Sequence, residues 1–334
     1  MRVVPRTLIT GGAGFIGSHL ADALLLAGHE VYALDDLSTG SLANVEHLRA
    51  HPDFHLVVDS VLHHAVVNEL VHKCDEVYHL AAAVGVRLIV EQPVHTITTN
   101  IRGTEIVLDL CARFGKRVLL ASTSEIYGDR REPIPLHEDD RRIYGSTTTA
   151  RWAYAATKEI DEFLALAWHN TSGLEVVVAR LFNTVGPRQS GRYGMVVPRF
   201  VERAVAGEPL EVHGDGRQSR CFLDVDDCVR ALTLLMGSAE ATGRVFNVGS
   251  DRTITIAALA ELVRERAGSS SPVRLVPYEE AYGPGFEDML HRRPAIGRIA
   301  ETVGWSPRIT LEETIDRVVA SMRAAAPPRE GAPA

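Results

Sequence analysis

Short apolar runs alternate along the first half of the chain with longer segments in which apolar residues recur every three or four positions. The runs EVYHLAAA, RVLLAS and EVVVARLFN indicate strands that are buried on both faces. The segments TITTNIRGTEIVLDLCARFG and AYAATKEIDEFLALAWHNTSG place apolar residues on one helical face and reach a glycine at their end. This alternation predicts an α/β fold whose parallel sheet is covered by helices on both faces.

The regular alternation becomes looser after about residue 185. VVPRFVERAVAG still has a helical pattern, and RVFNVGS has the pattern of one more strand. We therefore predict a first domain over residues 1–185, whose sheet is revisited around 222–250, and a smaller lobe over residues 186–325. Residues 326–334 have the composition of a flexible tail.

A glycine-rich turn joins the first predicted strand to the first predicted helix. TGGAGFIG spaces Gly11, Gly14 and Gly17 three residues apart. Residues without a Cβ let the backbone approach a pyrophosphate, and the helix N-terminus adds amide donors and positive potential. Asp35 follows Gly17 by 18 residues, at the end of the next predicted strand. This context predicts a doubly wound Rossmann domain that binds a dinucleotide.

The acidic end of the second strand indicates which dinucleotide is bound. The Asp35 carboxylate can accept hydrogen bonds from a ribose and would repel a 2′-phosphate, and DDLSTG contains no arginine to neutralise one. NAD is therefore predicted rather than NADP. Asp59 is a candidate adenine contact, with a solvated strand end as the alternative. The predicted cofactor contacts are Gly11, Gly14, Phe15, Ile16, Gly17, Asp35, Asp36, Asp59, Ser60, Leu80, Ala81, Ala82, Tyr154 and Lys158.

YAATK places Tyr154 and Lys158 four residues apart, on one face of a helix. A phenol has a pKa near ~10 and is a weak base at neutral pH. A nearby ammonium and a nicotinamide cation would lower that pKa, so that Tyr154 could take a proton from a sugar hydroxyl during hydride transfer. Thr123, at the end of a predicted strand, is the matching hydroxyl beside Tyr154.

Glu125 lies where the strand RVLLAS runs out into STSEIYG. Serine and threonine at that point are ordinary capping residues, whereas a carboxylate is less usual. Either Glu125 acts on a substrate, or it is a helix cap or one half of a buried ion pair with a neighbouring arginine.

The net charge, the apolar runs and the cysteines of the chain argue against several classes of partner and cellular setting. The net charge of -8 argues against a general nucleic-acid surface. No apolar run reaches the ~20 residues of a membrane span, and MRVVPRTLIT leaves no room for a signal peptide. The four cysteines stand singly without metal-ligand spacing, so we predict no metal and a reducing, cytoplasmic setting.

These motifs together resemble the extended short-chain dehydrogenase/reductase family of nucleotide-sugar epimerases, dehydratases and decarboxylases. The resemblance continues through RLFNTVGPRQ, VVPRFV, GDGRQSRCFLDVDD, FNVG and GWSP. It implies a UDP-sugar or another nucleotide-diphosphate sugar in the C-terminal lobe. Asn183 and Arg220 match positions that contact the diphosphate, although Arg220 could instead pair with Asp224 or Asp226. The implied substrate contacts are Asn183, Arg192, Val197, Arg220 and Arg292.

The resemblance also bears on the reaction. 4-Epimerases of the family tend to carry small residues after the catalytic hydroxyl, whereas this chain reads Thr123-Ser124-Glu125. A carboxylate there is typical of 4,6-dehydratases and of UDP-glucuronate decarboxylases, and GDP-mannose dehydratases also read Thr-Ser-Glu. The run HRRPAI resembles a decarboxylase segment in which the position of Arg292 carries a functional arginine, although related 4-epimerases share an RRP-like run in which the alternative role of the arginine is to bind phosphate.

The resemblance therefore favours an NAD-dependent decarboxylase, with Thr123, Glu125, Tyr154, Lys158 and Arg292 as catalytic residues. It would convert UDP-glucuronate through a UDP-4-keto intermediate to UDP-xylose, with or without some release of UDP-4-keto-pentose. The alternatives are a UDP-glucuronate or UDP-glucose 4-epimerase and a catalytically silent dinucleotide-binding regulator. The family also implies a homodimer, formed through the helices predicted at 100–114 and 152–169.

Overall fold

The computed structural model describes residues 4–84, 91–130, 132–149, 152–191, 195–282 and 289–325. Within these residues a seven-stranded sheet has the order β11-β6-β5-β4-β1-β2-β3, and every neighbouring pair is parallel. The strands of this sheet are β1 (Arg6–Thr10), β2 (Glu30–Asp35), β3 (Phe54–Val58), β4 (Glu76–His79), β5 (Arg117–Thr123), β6 (Val176–Leu181) and β11 (Arg244–Val248). The predicted doubly wound parallel sheet is thus confirmed.

The helices begin and end close to the positions that the apolar pattern indicates. Gly115, Gly173 and Gly207 follow three of them with φ of 62°, 73° and 79°, a left-handed conformation that glycine adopts without strain. The α-helices are Phe15–Leu26, His64–Lys73, Pro93–Phe114, Ala153–Ser172, Val196–Ala206, Val225–Met236, Ile256–Arg266, Tyr278–Tyr282, Gly297–Val303 and Leu311–Ala325. Short 3-10 helices are Leu42–Asn44, Glu46–Leu48, Ser124–Tyr127 and Ala239–Ala241.

Both faces of the main sheet are buried. Ile9 packs in a cluster with Leu24 and Leu232, which lie on helices of one face. Its neighbour Leu8 packs in a second cluster with Val107 from a helix of the other face. Successive residues of a strand point to opposite faces, so a near-continuous apolar run is what a sheet with two covered faces requires.

A third apolar cluster lies outside the main sheet. It joins the helices Val196–Ala206, Ile256–Arg266 and Leu311–Ala325 through residues such as Phe200 and Leu259. Three small sheets accompany it: β10 (Leu223–Asp224) with β7 (Thr184–Val185), β12 (Thr253–Thr255) with β9 (Ser219–Cys221) and β14 (His291–Arg292), and β13 (Val273–Val276) with β8 (Leu210–His213). The division at residue 185 and the tail at 326–334 stay predictions.

No helix in the described part of the chain is long and apolar enough to cross a membrane. Those same residues contain no group of three or more histidine, cysteine or acidic side chains able to hold a metal ion.

Candidate active site

A cavity of ≈ 920 Å³ runs along the carboxyl ends of the main-sheet strands and continues toward the third cluster. The strand order reverses between β1 and β4, which is where ligands bind in open parallel sheets. Volumes up to ~1,000 Å³ are usual for cofactor and ligand pockets, so this cavity has room for a large ligand.

The cavity wall contains all but two of the residues predicted from the sequence to contact cofactor or substrate. Ser60 is not on the wall, because its polar groups serve the turn after β3. Its amide donates to Asp59 Oδ1 at 2.7 Å, and its hydroxyl accepts from the Leu62 amide at 3.2 Å. Arg192 lies outside the described residues.

The glycine-rich turn is held by close backbone contacts. A Cβ on Gly17 would lie 2.1 Å from the Gly11 carbonyl oxygen, so only glycine lets the helix start this near the turn. Gly11 has φ of 75°, and a Cβ there would lie 3.0 Å from the amide nitrogen of Ala81, two residues after β4. No side chain caps the helix that begins after Gly14. The first turn of this helix (Phe15, Ile16 and Gly17) lies on the cavity wall. The arrangement fits a pyrophosphate.

Asp35 ends β2 and is buried against backbone amides. It accepts hydrogen bonds from Ala13 at 3.0 Å and Leu37 at 2.8 Å. Burial raises the pKa of Asp35, while these amides oppose the rise. A Cβ on Gly40 would lie 2.6 Å from the carboxylate, so the loop after β2 closes directly over it.

Asp59 lies on the wall at the end of β3 and contacts the His63 ring at 2.9 Å. The hydrogen bond from His63 and the amide of Ser60 lower the pKa of Asp59. Its carboxylate therefore stays charged at the rim of the cavity.

Thr123, Tyr154 and Lys158 meet on one wall of the cavity. Thr123 ends β5, and its hydroxyl accepts the Glu125 amide at 3.2 Å. Tyr154 lies in the first turn of the helix Ala153–Ser172, is 7% exposed, and shares a hydrogen bond with Thr123. Lys158 follows one turn later.

The protein groups around Tyr154 raise its pKa above that of an ordinary phenol. Burial raises it well above the usual value for a phenol, and the carboxylates of Glu125 and Asp161 raise it further. The Thr123 hydrogen bond and the Arg292 charge oppose the rise. Lys158 Nζ lies 3.2 Å from Asp161 Oδ2.

Glu125 is paired with Arg292. Arg292 Nη1 lies 3.3 Å from Glu125 Oε1, and Nη2 donates to Asn183 Oδ1 at 2.8 Å. The two charged side chains are 15% and 10% exposed and both lie on the cavity wall. The ion-pair alternative for Glu125 is therefore realised within the cavity, and its partner is the arginine that the family resemblance had singled out.

Arg220 stands opposite Arg292 in the register of the parallel strands β9 and β14. It is 6% exposed and donates to the carbonyls of Ser219 and Leu290. Its suggested partners Asp224 and Asp226 pair with Arg317 instead. Two guanidinium groups thus lie on neighbouring strands at the cavity, an arrangement suited to a ligand with several negative charges.

A buried polar network behind the wall is absent from the sequence-based predictions. Arg180, 1% exposed, donates to both Glu162 oxygens at 2.9 and 2.7 Å and to the Tyr127 hydroxyl at 2.9 Å. Tyr127 donates to Asn247, whose amide reaches the Ala295 carbonyl. The network joins the segment after β5, which carries Glu125, to the segment that follows Arg292. Arg180 near the end of β6 was the available signal, because a lone arginine in an apolar strand needs a partner.

Residues 8–318 match the protein family described as GDP-mannose 4,6 dehydratase. The chain belongs to this family. The match covers the turn, the β5 end, the tyrosine helix and Arg292, as expected of an extended short-chain dehydrogenase/reductase.

The chain is similar to two groups of decarboxylases. It is 38% identical over 315 residues to UDP-N-acetyl-alpha-D-glucosaminuronate decarboxylase of Bacillus cytotoxicus, covering 94% of this chain and 96% of that protein. It is 37% identical to UDP-glucuronic acid decarboxylase 1 of Arabidopsis thaliana, covering 95% and 70%.

The fold is similar to that of a solved nucleotide-sugar enzyme. The structure of Thermus thermophilus UDP-glucose 4-epimerase in complex with NAD superposes with a TM-score of 0.84 at 29% identity, covering 96% of this chain and 100% of that one.

Proposed function

We propose that the protein is an NAD-dependent UDP-glucuronate decarboxylase that forms UDP-xylose. The observation that carries the proposal is the contact of Arg292 with Glu125 on the same wall as Thr123 and Tyr154. A guanidinium beside the reacting sugar offers a forked donor set for a carboxylate. Support also comes from the similarity to decarboxylases over nearly the whole chain.

The glycine-rich turn, the closed loop over Asp35 and the wall around Tyr154 would hold NAD. When bound, NAD would accept a hydride from C4 of the sugar and later return it. Tyr154 takes the proton of the C4 hydroxyl, with Thr123 donating a hydrogen bond to the same oxygen. Arg220 and Asn183 hold the diphosphate end of the substrate, and Val197 packs beside it.

The oxidised sugar is a β-keto acid, so the bond from C5 to its carboxylate can break. The electron pair of that bond moves into the C4 carbonyl as CO2 leaves, and the resulting enolate oxygen is stabilised by Thr123 and Tyr154. Arg292 orients the carboxylate before this step, and a proton taken up from solvent is delivered to C5 by Glu125 or by a water it positions. Tyr154 finally gives its proton back to the C4 oxygen as this carbon is reduced.

The direct test is incubation with UDP-glucuronate and NAD+, followed by mass spectrometry. We expect a product that has lost CO2, with UDP-xylose dominant. An isobaric isomer would instead show a UDP-glucuronate 4-epimerase, and turnover of UDP-glucose alone would show a UDP-glucose 4-epimerase. UDP-N-acetylglucosaminuronate is run in parallel because one relative is named for it. If UDP-glucuronate does not lose CO2, the proposal is wrong, and loss of CO2 from UDP-N-acetylglucosaminuronate alone would show the other decarboxylase activity.

NAD is proposed over NADP because Asp35 is fixed at the end of β2 by two backbone amides. Asp35→Ala removes a charged hydrogen-bond acceptor, a change worth about 1.5–3 kcal/mol or roughly ten- to a hundredfold in affinity. We expect NAD+ binding to weaken by that factor and the preference over NADP+ to shrink, as measured by titration calorimetry. Asp53→Ala, an exposed change before β3, is the control. Equal affinity of the parent for both cofactors would refute the cofactor choice.

A homodimer is proposed through the helices Pro93–Phe114 and Ala153–Ser172. Large apolar side chains stand exposed on both, with Val94 at 76% and Phe163 at 62%.

A cytoplasmic setting is proposed because the four cysteines are buried free thiols. Burial raises the pKa of each thiol to about 12, which makes the cysteines unreactive.

A further inference from the structure

Glu125 and Arg292 both lie on very short elements. Glu125 belongs to the 3-10 helix Ser124–Tyr127, which has four residues, and β14, which carries Arg292, has two. Elements of this length make few backbone hydrogen bonds of their own. Thr123 and Tyr154 are held differently, because Thr123 ends an interior strand of the main sheet and Tyr154 lies on a helix of 20 residues. Other contacts must therefore set the distance between Glu125 and Arg292.

Asn247 joins the two short elements from β11 of the main sheet. It is fully buried, and its Oδ1 accepts a hydrogen bond from the Tyr127 hydroxyl at 2.6 Å. Its Nδ2 donates to the carbonyls of Leu136 at 2.8 Å and Ala295 at 3.2 Å. Tyr127 ends the 3-10 helix that carries the glutamate, and Ala295 follows the arginine by three residues. One carboxamide thus connects the segments on which the two members of the ion pair lie.

The segment from Leu136 to Ile143 connects the same two elements through its backbone. The Leu136 amide donates to the Arg293 carbonyl at 2.8 Å, and the Leu136 carbonyl accepts the Ala295 amide at 2.9 Å. At the other end of the segment, the Ile143 amide donates to the Tyr127 carbonyl at 3.3 Å. The Leu136 carbonyl also accepts the carboxamide described above, so the side-chain link and the backbone link meet at one residue.

Arg180 and Glu138 close the network around Tyr127. Arg180 Nη1 donates to the Tyr127 hydroxyl at 2.9 Å and to the Glu138 carbonyl at 2.7 Å. Glu138 Oε1 in turn accepts the Asn247 amide at 2.9 Å. None of these four residues is more than 5% exposed, so water cannot replace a hydrogen bond that is lost inside the network. Burial raises the pKa of Tyr127 to about 12, so its hydroxyl keeps the proton that it donates to Asn247.

We propose that Tyr127 and Asn247 are positioning residues whose hydrogen bond sets the contact between the glutamate and the arginine, and that they govern the loss of CO2 rather than the oxidation at C4. The inference rests on the proposed function. Neither residue lies on the cavity wall, so both act through the residues that they hold. Breaking the hydrogen bond frees the 3-10 helix from β11, and the 3.3 Å contact of Arg292 with Glu125 opens. Asn183 still holds Nη2 of Arg292, so the guanidinium stays in the cavity but loses its orientation toward the sugar carboxylate.

Tyr127→Phe removes one hydroxyl and keeps the ring, and a single turnover with UDP-glucuronate measures both steps. NADH absorbance follows the oxidation, and mass spectrometry of quenched samples follows the conversion of UDP-4-keto-glucuronate to products that have lost CO2. We expect NADH formation within about twofold of the parent and CO2 loss at least about tenfold slower, the scale for a misplaced group. UDP-4-keto-glucuronate should therefore accumulate, whereas a merely structural role would slow the two steps together.

Asn247→Ser breaks the same link from β11 and provides a second variant if Tyr127→Phe does not fold. The same difference between the two rates is expected. Because both substitutions act on one hydrogen bond, CO2 loss in the double variant should be no more than about twofold slower than in the slower single variant. Tyr78→Phe is the matched control, because it removes a phenol that is 1% exposed in β4 and does not line the cavity. Both of its rates should stay at the parental values.

Melting temperatures first establish that each variant is folded. If CO2 loss in the folded variants is slowed no more than oxidation, the inference is wrong. A crystal structure of Tyr127→Phe with NAD+ tests the link without any turnover: we expect the contact of Arg292 with Glu125 to be lost and the main sheet to be unchanged. A retained contact would overturn the inference, whereas a parent that never loses CO2 would refute the proposed function.

Discussion

Tyr154→Phe is expected to abolish NADH formation in a single turnover with UDP-glucuronate. The phenyl ring keeps the packing of a side chain that is 7% exposed, but the group that accepts the sugar proton is gone. General base catalysis contributes about 10²–10⁴-fold, so the rate of absorbance change should fall by at least a hundredfold. Stopped-flow spectroscopy at saturating substrate measures this directly.

Tyr32→Phe is the matched control for this change. Its hydroxyl donates to Glu30 at 2.6 Å at the amino end of β2, whereas the cavity lies at the carboxyl ends of the strands, so the substitution removes a phenol without touching the site. We expect NADH formation to stay near the parental rate in this variant. Near-normal NADH formation by Tyr154→Phe would show that another group is the base.

Glu125→Gln is expected to lower turnover on the order of a hundredfold, the scale for the loss of a positioned acid or base. The amide keeps the size of the side chain and one acceptor for Arg292, but it removes the charge and the proton relay. Substrate binding should stay within about tenfold of the parent, or roughly 1.4 kcal/mol. Steady-state kinetics and quenched-flow analysis of the sugar products separate the two effects.

The intermediate that accumulates assigns the role of Glu125. Oxidised sugar or free UDP-4-keto-pentose would indicate that Glu125 supplies the proton to C5, whereas stalled oxidation would indicate that it orients the sugar. Glu175→Gln is the control, because it removes the charge of a glutamate that pairs with an arginine, Arg117, outside the cavity. It should leave turnover unchanged. If Glu125→Gln lowers the melting temperature but leaves turnover per folded molecule normal, the role of Glu125 is structural. That result would favour the epimerase alternative.

The sheet and the cofactor turn could be predicted because their signals are local. Buried strands are continuous apolar runs, helices carry a period of 3.6 residues, and Gly11 and Gly17 stand where the backbone approaches itself. Tyr154 and Lys158, which both lie on the cavity wall, could be paired from the sequence in the same way because one helical turn separates them.

The contacts that decide the chemistry are not local, and the sequence pattern does not contain them. β9, β12 and β14 are two or three residues long, too short to show any periodicity, yet they bring Arg292 to the cavity. Asp161 lies close to Lys158 in sequence, but a charged pair on a helix is ordinarily a solvated one, and only the packing shows that it is buried. Ser60 was predicted to contact the cofactor because it follows a strand. The hydrogen bonds that its amide and hydroxyl make within the turn could not be deduced from residue type.

Glu125 and Arg292 are 167 positions apart and reach the cavity from opposite sides of residue 185. A chimaera that exchanged the C-terminal half between related chains would replace one partner of this contact together with β11 of the main sheet and its share of the first apolar cluster. Its chemistry would then depend on which residue the donor carries at the place of Arg292. The main sheet also takes β11 from beyond residue 185, so neither the sheet nor the contact between Glu125 and Arg292 is contained in one half of the chain.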